Sequence, residues 1–254
     1  MTSAALQRSD KFRIGRVLGE SFSVIGRNFF LCLGLGMVFY AVPLFVFSMW
    51  FEKSLSLVEH GTLVYSFRKV MLLGLTFVCY VALLSFLQAA LTRVAIADLN
   101  GKTPSVRDST RTALAFFLPT VGTTSLFGLA ILLGLALLVF PGFILLARWF
   151  VAVPVLLQER RGVLGSLARS RDLTKGCRWP IFGVWLAVFL ATLAINFSLK
   201  NLIFTFGIPA GLFFNAVLVT VEFLVGTMIP AVTYVELRRI KEGASVDELA
   251  EIFS

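Results

Sequence analysis

Residues 70–97 read VMLLGLTFVCYVALLSFLQAALTRVAIA, a run of 28 residues in which Arg93 is the sole charge. About 20 consecutive apolar residues are enough for one helix to cross the hydrocarbon core of a bilayer. A soluble chain of this length builds one core, and such a core has no room for several runs of this kind. The stretch therefore favours a transmembrane helix over a buried helix of a soluble protein.

Five further apolar runs accompany it, at 28–50, 119–140, 143–157, 179–199 and 210–235. The whole chain is 58% hydrophobic and only 15% charged, which lies outside the range of soluble domains. The sequence thus predicts an all-α protein, a polytopic membrane helical bundle of about six transmembrane helices. We expect residues 1–254 to form a single integral membrane domain.

The third and fourth apolar runs are separated by Pro141 and Gly142. This pair is typical of a tight turn, so the two runs are predicted to form one helical hairpin that turns at the far surface of the membrane. Pairing the other runs in the same way gives three hairpins in all.

The distribution of Lys and Arg predicts the orientation of these helices. Eighteen of the 23 basic residues lie on one side of the predicted spans and four on the other, with Arg148 inside a span. The positive-inside rule then places both termini in the cytoplasm, and an even number of spans requires that they share a side. The net charge of +9 is explained by this rule and by anionic lipid headgroups, so binding of nucleic acid is not expected.

The cytoplasmic connections resemble one another, because each passes a glycine and then enters a short amphipathic stretch before the next span. This pattern predicts one unit, a cytoplasmic amphipathic helix followed by a transmembrane hairpin, used three times. The repeats would cover 12–100, 101–160 and 161–237, with a last amphipathic helix at 244–254. The alternative is chance similarity between basic loops, which are common in multi-pass membrane proteins.

Two charges fall inside predicted spans, Arg148 in the fourth and Glu222 in the sixth. A charge at this depth costs at least about 2.5–3.5 kcal/mol, so such a side chain usually faces the bundle and finds a partner. The pair is predicted to form either a structural ion pair or a polar site on a transport path. A third reading is that Arg148 extends outwards to lipid phosphate.

Polar residues near the ends of the spans form a second group. Arg93, Asp98 and Glu159 are predicted to make a structural charge cluster near the inner surface. Asn196 and Asn215, in the last two spans, are expected to form hydrogen bonds between helices.

The densest basic segment supplies the candidate lipid site. Its charges are predicted either to recognise anionic lipid headgroups or to serve only the orientation of the chain. The candidate residues are Arg169, Arg171, Lys175 and Arg178.

No catalytic or metal-binding motif is visible in the chain. His60 is the sole histidine, which excludes histidine-rich metal sites and most Ser/His nucleophile pairs. The chain contains neither a P-loop nor a Gly-x-Ser-x-Gly nucleophile elbow. Its three cysteines lack metal-type spacing. The sequence predicts no enzyme activity, no metal and no cofactor.

The run PGFILLARWFVAVPV at 141–155 resembles a block of bacterial six-span inner-membrane proteins, the YciC-like group. The similarity continues through LTKG at 173–176 and YVEL at 234–237. This group is related to the membrane domain attached to some glycerophosphodiester phosphodiesterases. The resemblance implies a bacterial cytoplasmic membrane, and it implies no hydrolase activity because the soluble catalytic domain is missing from this sequence.

These observations predict a non-enzymatic multi-pass protein that supports cell-envelope or membrane-lipid homeostasis. Its expected partners are membrane lipids, anionic ones in particular, together with a partner protein or a second copy of the chain. The alternative is a transporter or channel for a small solute or lipid that uses Arg148 and Glu222. A membrane-embedded enzyme is a third hypothesis, without visible chemistry.

Overall fold

The computed structural model describes residues 12–59, 67–137, 139–204 and 207–243, which form helices and turns without a strand. The first five helices are α1 (Ile14–Arg27), α2 (Phe29–Gly36), α3 (Val42–Glu59), α4 (Phe67–Leu99) and α5 (Val106–Ala115). They are followed by α6 (Phe117–Leu137), α7 (Val139–Trp149), α8 (Ala152–Glu159), α9 (Gly162–Thr174), α10 (Arg178–Phe204) and α11 (Ile208–Arg238). Turns of π-helix at Met37–Ala41 and Arg239–Gly243 extend α2 into α3 and lengthen α11.

Within the described residues, six helical segments are long and apolar enough to cross a membrane, which agrees with the predicted number. They are Phe29–Phe51, Gly74–Leu99, Phe117–Gly134, Gly142–Glu159, Arg178–Leu199 and Ile208–Glu242, called spans 1 to 6 here. Large apolar side chains on their outer faces are exposed, for example Phe77, Leu132 and Phe197. Apolar surface of this extent belongs in lipid, because soluble monomers rarely expose it. The predicted helix at 244–254 lies outside the described residues.

The core of the bundle forms where α11 packs against α1, α3, α4 and α10. Small buried residues, including Ala90 and Ala231, let these helices approach closely, which is how helices associate in lipid. Larger side chains fill the remaining space, and the Tyr40 ring stacks on Phe223 with 4.9 Å between the centroids. Tight packing of this kind is what holds spans 1, 2 and 6 together.

Pro141 and Gly142 do not form the predicted turn. α6 ends at Leu137 and α7 begins at Val139, so both residues lie in the first turn of α7. The N–H groups of a first helical turn have no intrahelical acceptor, and proline removes no helical hydrogen bond there. Gly142 instead permits close packing, because a Cβ built on Gly134 would lie 2.9 Å from Gly142 Cα.

Span 4 is divided in two, since α7 ends at Trp149 and α8 begins at Ala152. Pro154 explains the division. In a continuous helix its ring would clash with the carbonyl of Phe150, four residues earlier, and it has no N–H to donate. The last carbonyls of α7 therefore lack their helical partners and need donors from elsewhere.

Substituting Gly134 by Ala should destabilise the protein, because the added methyl group meets the backbone of Gly142 and forces α6 and α7 apart. Overpacking of this kind costs about 1–3 kcal/mol of unfolding free energy. Gly128→Ala on the same helix is the matched control, since a Cβ there meets nothing within 4 Å. Thermal unfolding in detergent, followed by circular dichroism, should show a lower midpoint for Gly134→Ala alone. Equal midpoints would contradict this account of the helix contact.

Candidate functional site

Three carboxylates lie at the ends of spans 2, 4 and 6 and are nearly buried. The side chains of Asp98, Glu159 and Glu236 are 11%, 12% and 10% exposed. Each of them accepts from an arginine of α1 or α9. These contacts hold the short helices α1 and α9 at one end of the bundle, and the ion pair between Arg93 and Asp108 holds α5 there as well. This end is called the basic end below.

The first of these pairs joins α1 to α4. Arg27 donates from Nε at 3.0 Å and from Nη2 at 2.7 Å to Asp98 Oδ2, and Asn28 donates to the other oxygen at 2.7 Å. The hydrogen bond to Asp98, followed by the one to Glu20, raises the pKa of Arg27 above its ordinary value. Asp98 is therefore satisfied on both oxygens by the junction between α1 and α2.

The second pair is part of a network between α8, α9 and the end of α11. Arg169 Nε lies 3.0 Å from both oxygens of Glu159, and Arg161 Nε lies 2.9 Å from the same carboxylate. Arg169 also donates to Glu242, which accepts from Arg238. Burial lowers the pKa of Arg169, but Glu159 and Glu242 outweigh that effect, so its pKa lies above the ordinary value.

The predicted cluster of Arg93, Asp98 and Glu159 is divided among different partners. All three lie at the basic end, yet each pairs with a short helix and not with the other two. Arg93 Nε donates to Asp108 of α5 at 2.9 Å. A further contact at this end joins Arg16 of α1 to Glu236 of α11, at 3.1 Å.

The break in span 4 is closed by α9. The hydroxyl groups of Ser170 and Thr174 donate to the backbone carbonyl of Arg148 at 3.0 Å and 3.3 Å. Both residues are fully buried, and they lie one helical turn apart on the same face of α9. In a continuous helix that carbonyl would accept from the N–H of Ala152, the first residue of α8. The two hydroxyl groups thus supply donors at the break between α7 and α8, and they fix α9 against span 4.

Arg148 and Glu222 do not meet. Among the ion pairs of residues 12–59, 67–137, 139–204 and 207–243, none joins these two side chains. Glu222 instead accepts a 2.7 Å hydrogen bond from Asn196 of α10, which confirms the contact between helices predicted for Asn196. In the same described residues, the buried Nε of Arg148 has no hydrogen-bond partner.

The four predicted headgroup residues differ in their surroundings. Arg169 is held by two carboxylates, and Arg171 contacts the adjacent Asp172 at 3.3 Å. Lys175 is exposed, and its carbonyl accepts from Lys241 at 2.9 Å. Arg178 is half-buried, with an Nε that has no hydrogen-bond partner within the described ranges. Arg171 and Lys175 are thus the members of the set that remain open to solvent or headgroups.

Two clefts open at the basic end and share Gln158 in their walls. One, of about 340 Å³, lies between α4, α8 and α11 and is lined by Ile96, Asn100, Tyr234 and Arg238 among others. The second, of about 460 Å³, lies between α4, α5 and α8. Its charged lining consists of Arg93, Asp108, Arg111 and Arg160. No pattern in the sequence had indicated this second cleft.

The described residues contain no group of three His, Cys, Asp or Glu side chains that could hold a metal ion. Comparisons of the chain with protein-family models, with curated proteins and with solved structures gave no match.

Asp98→Ala should lower the unfolding free energy by about 1–3 kcal/mol, because it leaves the donors of Arg27 and Asn28 without their acceptor. Asp172→Ala is the control. That carboxylate is 60% exposed, and a surface change of this kind stays within about 0.5 kcal/mol. Thermal unfolding of both variants in the same detergent tests this difference. A midpoint for Asp98→Ala equal to that of the control would refute the structural role of Asp98.

Proposed function

We propose that this chain is a non-enzymatic, multi-pass membrane protein that supports membrane-lipid or cell-envelope homeostasis. It acts by binding anionic lipid at its basic end, where a partner protein or a second copy also docks. The observation that carries the proposal is the concentration of exposed arginines at the ends of apolar spans. An arginine in that position meets the headgroups of the surrounding lipid.

The arginines available for this role are those that no buried carboxylate holds. Arg107, Arg111, Arg160 and Arg171 are exposed at the basic end. Each basic residue near an anionic membrane surface contributes about 1 kcal/mol of attraction. Several of them together therefore favour anionic over zwitterionic lipid.

Aromatic and apolar side chains support the same placement. Trp179, next to Arg178 at the start of span 5, is 78% exposed, and Phe30 at the start of span 1 is 88% exposed. Aromatic rings beside basic residues are typical of the boundary between headgroups and hydrocarbon. We place the basic end at the cytoplasmic face of a bacterial inner membrane, on the strength of the positive-inside rule and the YciC-like resemblance.

The proposed threefold repeat is supported by three buried serines. Ser21, Ser109 and Ser170 are each at most 1% exposed. Each of them lies eight residues before the first residue of the next span, at Phe29, Phe117 and Arg178. The same position in α1, α5 and α9 thus faces the bundle. A collar of three equivalent helices, each followed by a hairpin, would present its basic outer faces to the membrane surface.

Transport of a small solute or lipid is the second candidate. It is favoured by the Glu222–Asn196 hydrogen bond, which puts a carboxylate near the middle of span 6 in contact with α10. Transport has weaker support than lipid binding, because Arg148 takes no part in the hydrogen bond between Glu222 and Asn196. Its carbonyl is bound to α9 instead.

The purified protein should retain anionic lipid in excess of its share of the host membrane. Native mass spectrometry combined with lipidomics measures this enrichment in the detergent-purified full chain. Because the attraction is electrostatic, the excess should fall as salt is raised from low to high concentration. Retained lipid that matches the bulk composition at every salt concentration would refute the proposal.

The orientation is tested separately with reporter proteins fused after Ser254. A reporter that is active only in the cytoplasm should function there, and one that requires export should stay inactive, since the basic end remains inside. The matched fusion after Gly207, between spans 5 and 6, should give the opposite pattern. Export of the reporter fused after Ser254 would overturn the assignment.

A further inference from the structure

The cleft between α4, α5 and α8 combines an excess of positive charge with the volume of a ligand pocket. Three guanidinium groups line it, those of Arg93, Arg111 and Arg160, against the one carboxylate of Asp108. The cleft therefore carries two positive charges in excess. Its volume of about 460 Å³ falls within the range of roughly 300–1,000 Å³ that is common for small-ligand pockets.

Two of the three arginines are free to bind a ligand. Arg93 is paired with Asp108 at 2.9 Å, whereas no ion pair engages Arg111 or Arg160 in the part of the chain that the structure describes. Both are exposed at the mouth of the cleft. Arginine forms bidentate hydrogen bonds with phosphate oxygens, which makes phosphate the ligand chemistry that this pair fits best.

Arg160 is held in a strained backbone conformation, with φ of 53°, at the end of α8. Left-handed backbone costs a non-glycine residue about 1–2 kcal/mol, and glycine is the usual residue at such a helix end. The guanidinium carbon of Arg160 lies 5.5 Å from the centre of the Phe116 ring, a cation–π contact that orients the side chain towards the cleft. An arginine kept at a glycine position suggests that its side chain has a function.

The depth of the cleft matches the headgroup layer. Phe116 directly precedes span 3, Arg160 directly follows span 4, and Arg93 lies six residues, about 9 Å, inside the end of span 2. A headgroup layer is about 5–8 Å thick on each side of the hydrocarbon. Long arginine side chains reach it from either side of the boundary. If the phosphate of a lipid binds here, the acyl chains of that lipid can lie along the outer faces of the spans.

We infer that this cleft binds the phosphate groups of an anionic phospholipid, and that it selects a lipid with two phosphodiesters over one with a single phosphodiester. The reason is charge complementarity. One lipid with two phosphodiesters neutralises both excess positive charges, whereas two separate single-phosphate lipids would both have to be ordered to do the same. The inference rests on the proposed function and goes beyond it by naming the site and the lipid class. It also moves the headgroup site away from the segment that contains Arg169 and Lys175.

The test uses the full chain in a nonionic detergent and measures lipid affinity by native mass spectrometry. The probes are cardiolipin, phosphatidylglycerol and phosphatidylcholine, with inorganic phosphate as a soluble competitor. The cleft variant combines Arg111→Gln with Arg160→Gly, and the matched control combines Arg13→Gln with Lys102→Gln, two exposed residues that do not line the cleft. Both variants lose two positive charges at the same end of the protein. Because glycine accepts the left-handed backbone, Arg160→Gly should not lower the thermal midpoint.

The wild type should bind cardiolipin more tightly than phosphatidylglycerol. It should bind phosphatidylcholine the most weakly of the three lipids. The cleft variant should lose about 30-fold in cardiolipin affinity, which corresponds to about 1 kcal/mol for each arginine removed. The control should change less than about threefold, because its charges lie outside the cleft and act on the lipid only at a distance.

The opposing outcomes separate the site from the function. Equal losses in both variants, or none in either, would overturn the cleft and leave the proposed lipid binding intact. A wild type without preference for anionic lipid would remove both. Displacement of cardiolipin by millimolar inorganic phosphate would identify the occupant as a soluble phosphate and overturn the assignment to lipid.

Discussion

The architecture of the basic end depends on carboxylates that are nearly buried at the ends of the spans. A buried carboxylate that lacks a partner is strongly destabilising, so Asp98, Glu159 and Glu236 each require an arginine. The partners of all three lie on α1 and α9, helices of 14 and 13 residues that would be marginal on their own. The ion pairs therefore bind the short helices to the ends of the long ones. The surface charge of the basic end is what remains after this pairing.

A second constraint comes from the backbone of span 4. Within a bilayer each backbone polar group needs a partner inside the protein, because no water is present to replace it. Pro154 interrupts the helix, and the hydroxyl groups of Ser170 and Thr174 bind the carbonyl of Arg148. The same helix, α9, binds Glu159 through Arg169 at its other face. Docking of α9 is thus set by one backbone interaction and one charge interaction, and neither of them involves Arg111 or Arg160 of the second cleft.

The candidate site was predictable only in part. The sequence predicted that Arg93, Asp98 and Glu159 lie together near one surface of the membrane, and the structure has all three at the same end of the bundle. It did not reveal that Arg169 is held by carboxylates on two other helices, because the contact with Glu242 joins residues 73 positions apart. The cleft was missed for the same reason, since its arginines come from three different helices. The signal that was present is Asp108-x-x-Arg111, whose three-residue spacing puts both charged side chains on the face of α5 that lines the cleft.

The sequence alone determined the helical class and the six spans, because a run of about 20 apolar residues has few other places to lie than a bilayer. It also determined which end of the bundle is basic, since charge follows directly from residue identity. The tertiary structure decided the partners. Arg148 and Glu222 both lie within spans, yet the carbonyl of Arg148 accepts from α9 and the side chain of Glu222 accepts from α10. Gly142 packs closely against α6 where a turn was expected. These contacts depend on which faces of the helices pack against each other. That packing involves several helices at once, so no single stretch of sequence encodes it.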